Sequence, residues 1–119
     1  MKVATDQFRS EMGIVRFEAG QVIFKEGEVG KAMYVVLEGE VALSIRGEEV
    51  ERVSPGGVFG EMALIDRSPR TATAVALKGC KLVSIAEQRF MTMVQQTPKF
   101  SLQIMRVMAD RLRRMNTRV

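Results

Sequence analysis

Apolar and polar positions change rhythm twice along the chain. Phe8 and Met12, four apart among Asp6, Arg9, Ser10 and Glu11, predict a short amphipathic helix over 1–13, ended by Gly13. From Ile14 to Ile85 short apolar runs alternate with glycine-bearing turns such as Ala19-Gly20, Glu26-Gly27, Glu38-Gly39, Arg46-Gly47 and Lys78-Gly79. β-Branched residues between closely spaced turn signals predict many short strands, hence a sandwich or barrel. Met33–Leu37 and Val41–Ile45 flank Glu38-Gly39-Glu40 and predict a hairpin; Arg70–Leu77 and Cys80–Ile85, joined at Lys78-Gly79, predict a second pair. After Ile85 the period becomes helical. Phe90, Met91 and Val94 mark a helix over Glu87–Gln95, and Thr97-Pro98 interrupts it. Phe100, Ile104, Val107, Met108, Leu112 and Met115 then form the stripe of a longer helix running to about Arg118.

Composition narrows the chemistry. The 119 residues suit one domain over 1–119, with 46% apolar and 27% charged residues, an ordinary folding composition. Histidine is absent and Cys80 is the one cysteine. Histidine acid–base chemistry, Ser-His-Asp and Cys-His nucleophiles, His or Cys-cluster metal sites and internal disulfides are therefore excluded. The expectation is a protein that is not an enzyme, with no catalytic residue, metal or catalytic cofactor; Cys80 packs as a small apolar residue. Apolar runs such as Met33–Leu37 are too short to span a membrane, and the N-terminus has no signal-peptide stretch, so a cytoplasmic location is expected. The net charge of +4 is uneven: Pro98–Val119 holds six basic residues and one acid, and the rest is nearly neutral. A generally basic nucleic-acid surface is not supported.

The stretch Pro55 to Ala74 carries the candidate chemistry. Gly60 precedes Glu61–Ile65, a run of helix formers long enough for one turn. The first N–H groups of such a turn point outward and suit an anion. Pro69 ends the turn, and Arg70, expected to open a strand, can face the same anion with its planar fork. Glu61 is useful there only if it accepts from a neighbouring hydroxyl. A group with one phosphate anion beside a free hydroxyl fits such a pair, and a cyclic nucleotide is one such group.

Phe59-Gly60-Glu61-Met62-Ala63-Leu64 followed by Pro69-Arg70-Thr71-Ala72-Thr73 resembles the phosphate-binding cassette (58–73) of cyclic-nucleotide-binding domains, of the catabolite activator protein, protein kinase A regulatory subunit and cyclic-nucleotide-gated channel type. Phe17-x-x-Gly20-x-x-Ile23-x-x-x-Gly27 and Met33-Tyr34-x-x-x-x-Gly39-x-Val41 resemble the family's upstream glycine framework. The resemblance implies a mainly β fold with flanking helices: an eight-stranded jelly-roll barrel over 14–85, a short phosphate-binding helix, a short N-terminal helix, and two C-terminal hinge and lid helices over 86–118. It implies that Arg70, Thr71, Met62 and Ala63 hold the cyclic phosphate, Glu61 and Gly60 the ribose, and Phe59, Val58 and Ala72 the pocket wall. Arg111, Met115 and Asn116 are the candidates on the lid over the base. The implied ligand is cAMP or cGMP, with cAMP the first expectation; a Thr after the arginine, as at Thr71, accompanies either base in the family.

The resemblance covers about residues 14–118. With no helix-turn-helix segment after the last helix, no DNA-binding domain is expected in this chain, and the output would pass to a protein partner or an attached effector. The alternative is a ligand-independent domain of the same fold acting as an interaction or dimerisation module.

Overall fold

The computed structural model describes residues 13–116. They form β1 (Ile14–Phe17), β2 (Val22–Phe24), β3 (Ala32–Glu38), β4 (Val41–Ile45), β5 (Glu48–Val53), β6 (Val58–Phe59), α1 (Met62–Ile65), β7 (Thr73–Ala76), β8 (Cys80–Ala86), α2 (Glu87–Gln96) and α3 (Pro98–Asn116). The strands make two antiparallel sheets of four, ordered β1-β8-β3-β6 and β2-β7-β4-β5. The N-terminal helix expected over 1–13 lies, but for Gly13, outside the described residues, as does the helix end expected near Arg118.

β3 and β8 are apolar at almost every position because their sheet is covered on both faces. Register assigns the faces. Val36 pairs with Leu82 and Tyr34 with Phe59, and these side chains meet Phe24, Val41, Leu43, Val53, Ala74 and Ala76 between the sheets. Met33 pairs with Ile85 and Val35 with Val83, and these turn outward to meet Leu64, Phe90, Phe100, Ile104 and Val107 from the helices. Phe90 of α2 meets Phe100 of α3 edge-on, with ring centroids 6.1 Å apart. Burying one such ring contributes about 1.5–3 kcal/mol, and a well-placed aromatic pair adds about 0.5–1.5 kcal/mol. The helices are thus part of the core and complete the β body.

Two pairings differ from the sequence expectation. β3 and β4 lie in different sheets, and so do β7 and β8; neither pair is a hairpin. Both connections cross from one sheet to the other, and they meet at a shared corner. There Leu77 N donates to the Glu40 carbonyl at 2.8 Å, and Cys80 Sγ donates to the Glu40 and Lys78 carbonyls, each at 3.2 Å. A short glycine-bearing turn permits this corner as readily as a hairpin, and burial of both faces of β3 and β8 selects the corner. β4 instead pairs with β5 across Arg46-Gly47. The expected closed barrel opens into two sheets, since no ladder joins them among the described residues.

Candidate functional site

Between β6 and β7 the chain leaves the sheets for thirteen residues of cassette, from Gly60 to Ala72, before β7 starts at Thr73. Gly60 takes φ +80°, a conformation costly for a residue with a Cβ. That reversal lets β6 turn directly into α1, whose single turn is closed by Leu64 and Ile65 N–H groups donating to the Glu61 carbonyl at 3.0 and 3.1 Å. The N–H groups of Met62 and Ala63 precede the first closed turn. Asp66 then accepts from both the backbone N–H and the hydroxyl of Ser68, which turns the chain towards Pro69 and Arg70.

Arg70 does not open a strand as expected; it precedes β7 and is fixed another way. Its N–H donates to the Glu28 carbonyl and its own carbonyl accepts from Gly27 N, both at 2.8 Å. The side chain is 7% exposed. Nη1 donates to the Gly60 carbonyl at 2.9 Å and Nη2 to the Ala32 carbonyl at 2.7 Å. The guanidinium carbon sits 4.0 Å above the Phe24 ring. Phe24, Tyr34 and Phe59 form one aromatic group under it, with centroids 5.3–6.1 Å apart. Among the described residues Arg70 makes no ion pair with a carboxylate. Burial pushes its pKa below the ordinary arginine value, partly countered by Tyr34, Glu28 and Glu61. A partly desolvated guanidinium held by neutral carbonyls is arranged to receive an anion.

Glu61 is 3% exposed, and α3 supplies its partner. Arg111 Nη1 donates to Glu61 Oε1, and Nη2 donates to the Val58 carbonyl. Arg111 also grips Glu51 on β5, with Nε at 2.9 and 3.2 Å from the two carboxylate oxygens and Nη2 at 3.1 Å from Oε2. Burial opposes the Arg111 charge, but Glu61 and Glu51 together outweigh it and hold its pKa above the usual value. The last helix is thereby tied to the cassette through one guanidinium.

The structure therefore brings Arg70, Gly60, Glu61 and Arg111 into one continuous site, with Ala63 and Met62 on the short helix beside them. Phe59 and Val58 are buried on opposite faces of their strand, Phe59 between the sheets and Val58 under the helices. Ala72 packs at the edge of the inner core, and Thr71 is exposed. The side chains of Met115 and Asn116 lie outside the described residues. Sequence reasoning missed Glu51, Phe24, Gly30 in the loop between β2 and β3, and the Ala32 carbonyl at the start of β3. A Cβ at Gly30 would stand 2.5 Å from Arg70 Cζ, so this glycine is a site residue with no local motif to mark it. Among the described residues no group of three or more acids or Cys could hold a metal, and no helix is long and apolar enough to cross a membrane.

The sequence model of the cyclic nucleotide-binding domain matches residues 14–97. The chain belongs to the cyclic nucleotide-binding domain family. Similar to this cyclic nucleotide-binding domain is the CRP-like cAMP-activated global transcriptional regulator of Mycobacterium tuberculosis, 32% identical over 86% of this chain and 48% of that protein. The catabolite activator protein of Thermus thermophilus is similar in structure, with a TM-score of 0.79 and 28% identity over 87% of this chain and 51% of that one. So is the cGMP-bound form of the EAL enzyme Bd1971, with a TM-score of 0.67 and 33% identity over 87% of this chain and 29% of that one. The domain spans about half the length of the mycobacterial regulator, 48%. The arginine and glutamate that the resemblance singled out, Arg70 and Glu61, are the two buried charged residues among the described residues.

Proposed function

We propose that this domain binds a 3′,5′-cyclic purine nucleotide and acts as a sensor rather than a catalyst. The observation that carries the reading is Arg70, a buried guanidinium held on the Gly60 and Ala32 carbonyls with no carboxylate of its own, beside the carboxylate of Glu61. The cyclic phosphate pairs with Arg70, assisted by the N–H groups of Met62, Ala63 and Thr71. The ribose 2′-OH donates to Glu61, whose second oxygen stays available while Arg111 holds Oε1. α3 covers the base side, with Met115 and Asn116 as further lid candidates. A signal arises if the lid's position differs in affinity for ligand between two states, since only differential binding shifts a population. The output passes to a protein partner or an attached effector.

Calorimetric titration of nucleotide-stripped protein with cAMP, cGMP and 2′-deoxy-cAMP tests this. Saturable one-to-one binding is expected, with Arg70→Ala costing about 2–5 kcal/mol. Because Arg111 keeps Glu61 paired, the 2′-deoxy analogue should lose only a net hydrogen bond, about 0.5–1.5 kcal/mol. Binding unaffected by Arg70→Ala would refute the site. No heat and no thermal shift with any nucleotide would leave the fold standing and favour the ligand-independent interaction module.

A further inference from the structure

β5 carries a bulge. Ser44 pairs with Glu49 and Leu43 with Glu51, so Val50 is the extra residue between two consecutive partners. Glu51 is the last residue of the regular ladder before the bulge, and its pairing with Leu43 puts it on the face that is buried between the sheets. β5 is the edge of its sheet, and an inward charge on an edge strand has a bland explanation: it discourages pairing with another chain. That purpose requires a charge but no partner. Glu51 has a specific partner, and its side chain is only 17% exposed.

The order of groups through the site is Arg70, Glu61, Arg111, Glu51, each in contact with or beside the next. A 3′,5′-cyclic nucleotide has the same order of parts: phosphate, then the ribose 2′ edge, then the base on the neighbouring carbon. With phosphate on Arg70 and ribose on Glu61, the base is directed to the Glu51 side. Arg111 is largely committed: Nε lies on Glu51, Nη1 on Glu61, and Nη2 on Glu51 and the Val58 carbonyl, which leaves one of its five N–H groups, on Nη1. On that side the cavity is lined by Glu51 and Asp110 as acceptors, with Arg52, Ser54 and Arg114 around them. An ionised carboxylate offers about four lone-pair directions and no donor.

We infer that Glu51 is the base-reading residue and that it selects guanine over adenine. Guanine presents N1–H and N2–H₂ side by side, two donors that match the two oxygens of a carboxylate. Adenine presents N6–H₂ beside the N1 lone pair, so one oxygen would gain a bond and the other would face an acceptor. The inference rests on the cyclic-nucleotide reading above and turns its first expectation, cAMP, towards cGMP.

The test is titration of the nucleotide-stripped full chain with cGMP, cIMP and cAMP, followed by the same series on Glu51→Gln. cIMP keeps guanine's N1–H and lacks the N2 amine, so the wild-type series reads the edge without any variant. The expected order is cGMP, then cIMP, then cAMP, with cGMP about 10-fold or more tighter than cAMP. In Glu51→Gln, whose melting transition checks folding, the cGMP-to-cAMP ratio should fall to within about 3-fold, mainly through loss of cGMP affinity. Equal or tighter cAMP binding by the wild type, or a folded Glu51→Gln that keeps the ratio, overturns the inference. Arg70-dependent cAMP binding without guanine preference defeats this inference alone; binding of none of the three defeats the cyclic-nucleotide reading with it.

Discussion

Gly30 lies flat against the guanidinium of Arg70, close enough that a Cβ would meet Arg70 Cζ at 2.5 Å, Nε at 2.6 Å and the Ala63 methyl at 2.8 Å. The loop between β2 and β3 therefore sets the depth at which the arginine sits. Gly30→Ala should displace the side chain from the Gly60 and Ala32 carbonyls. Cyclic-nucleotide affinity should fall by about 10-fold, consistent with overpacking costs of about 1–3 kcal/mol. Titration of the variant against wild type reads this, with a thermal melt to confirm folding; unchanged affinity would mean that the loop does not position Arg70.

Arg111 is the second pivot. It neutralises two carboxylates and satisfies one backbone carbonyl, so its removal leaves Glu51 and Glu61 facing each other without a cation. Arg111→Gln is expected to lower stability by about 1–3 kcal/mol, measured by urea denaturation. Arg111→Lys should recover only part of this, since an ammonium keeps the charge but lacks the planar fork. A lysine variant as stable as wild type would reduce the role of Arg111 to its charge alone.

Phe100 anchors the start of α3 at 1% exposure, packed on Phe90 and the outer face of β3 and β8. Phe100→Ala should cost about 3–5 kcal/mol and increase hydrogen exchange along α3 before the strands respond. If strand and helix amides lost protection together, the helix and sheets would form a single cooperative unit.

The cassette was legible in the sequence because its determinants are local. Gly60, Glu61, Pro69 and Arg70 lie within eleven residues, and turn and fork chemistry fix what each can do. The α2–α3 break at Thr97-Pro98 was legible for the same reason. Strand partners were not: Glu38-Gly39-Glu40 has the chemistry of a hairpin turn, and only burial on both faces of β3 makes it a crossing between sheets. Glu51 was hidden by the Glu48-Glu49-Val50-Glu51-Arg52 run, which reads as a solvated edge until its pairing with Leu43 sets its phase. Arg111 stood out as a lid candidate from its place on α3, but its two carboxylate partners are 50 and 60 residues away in sequence.

The spacing of contacts along α3 constrains how such a lid could work. Phe100, Ile104 and Val107 fasten its first half into the core, so opening by detachment would expose the part of the outer sheet face that they cover. From Val107 to Asn116 the helix extends nine residues, a lever of about 14 Å at 1.5 Å per residue. Arg111 lies near the middle of that lever, where a small change of grip at Glu51 or Glu61 becomes a larger sweep at the tip. Ligand chemistry at two carboxylates would thereby be converted into displacement at the point where a following segment or partner could take hold.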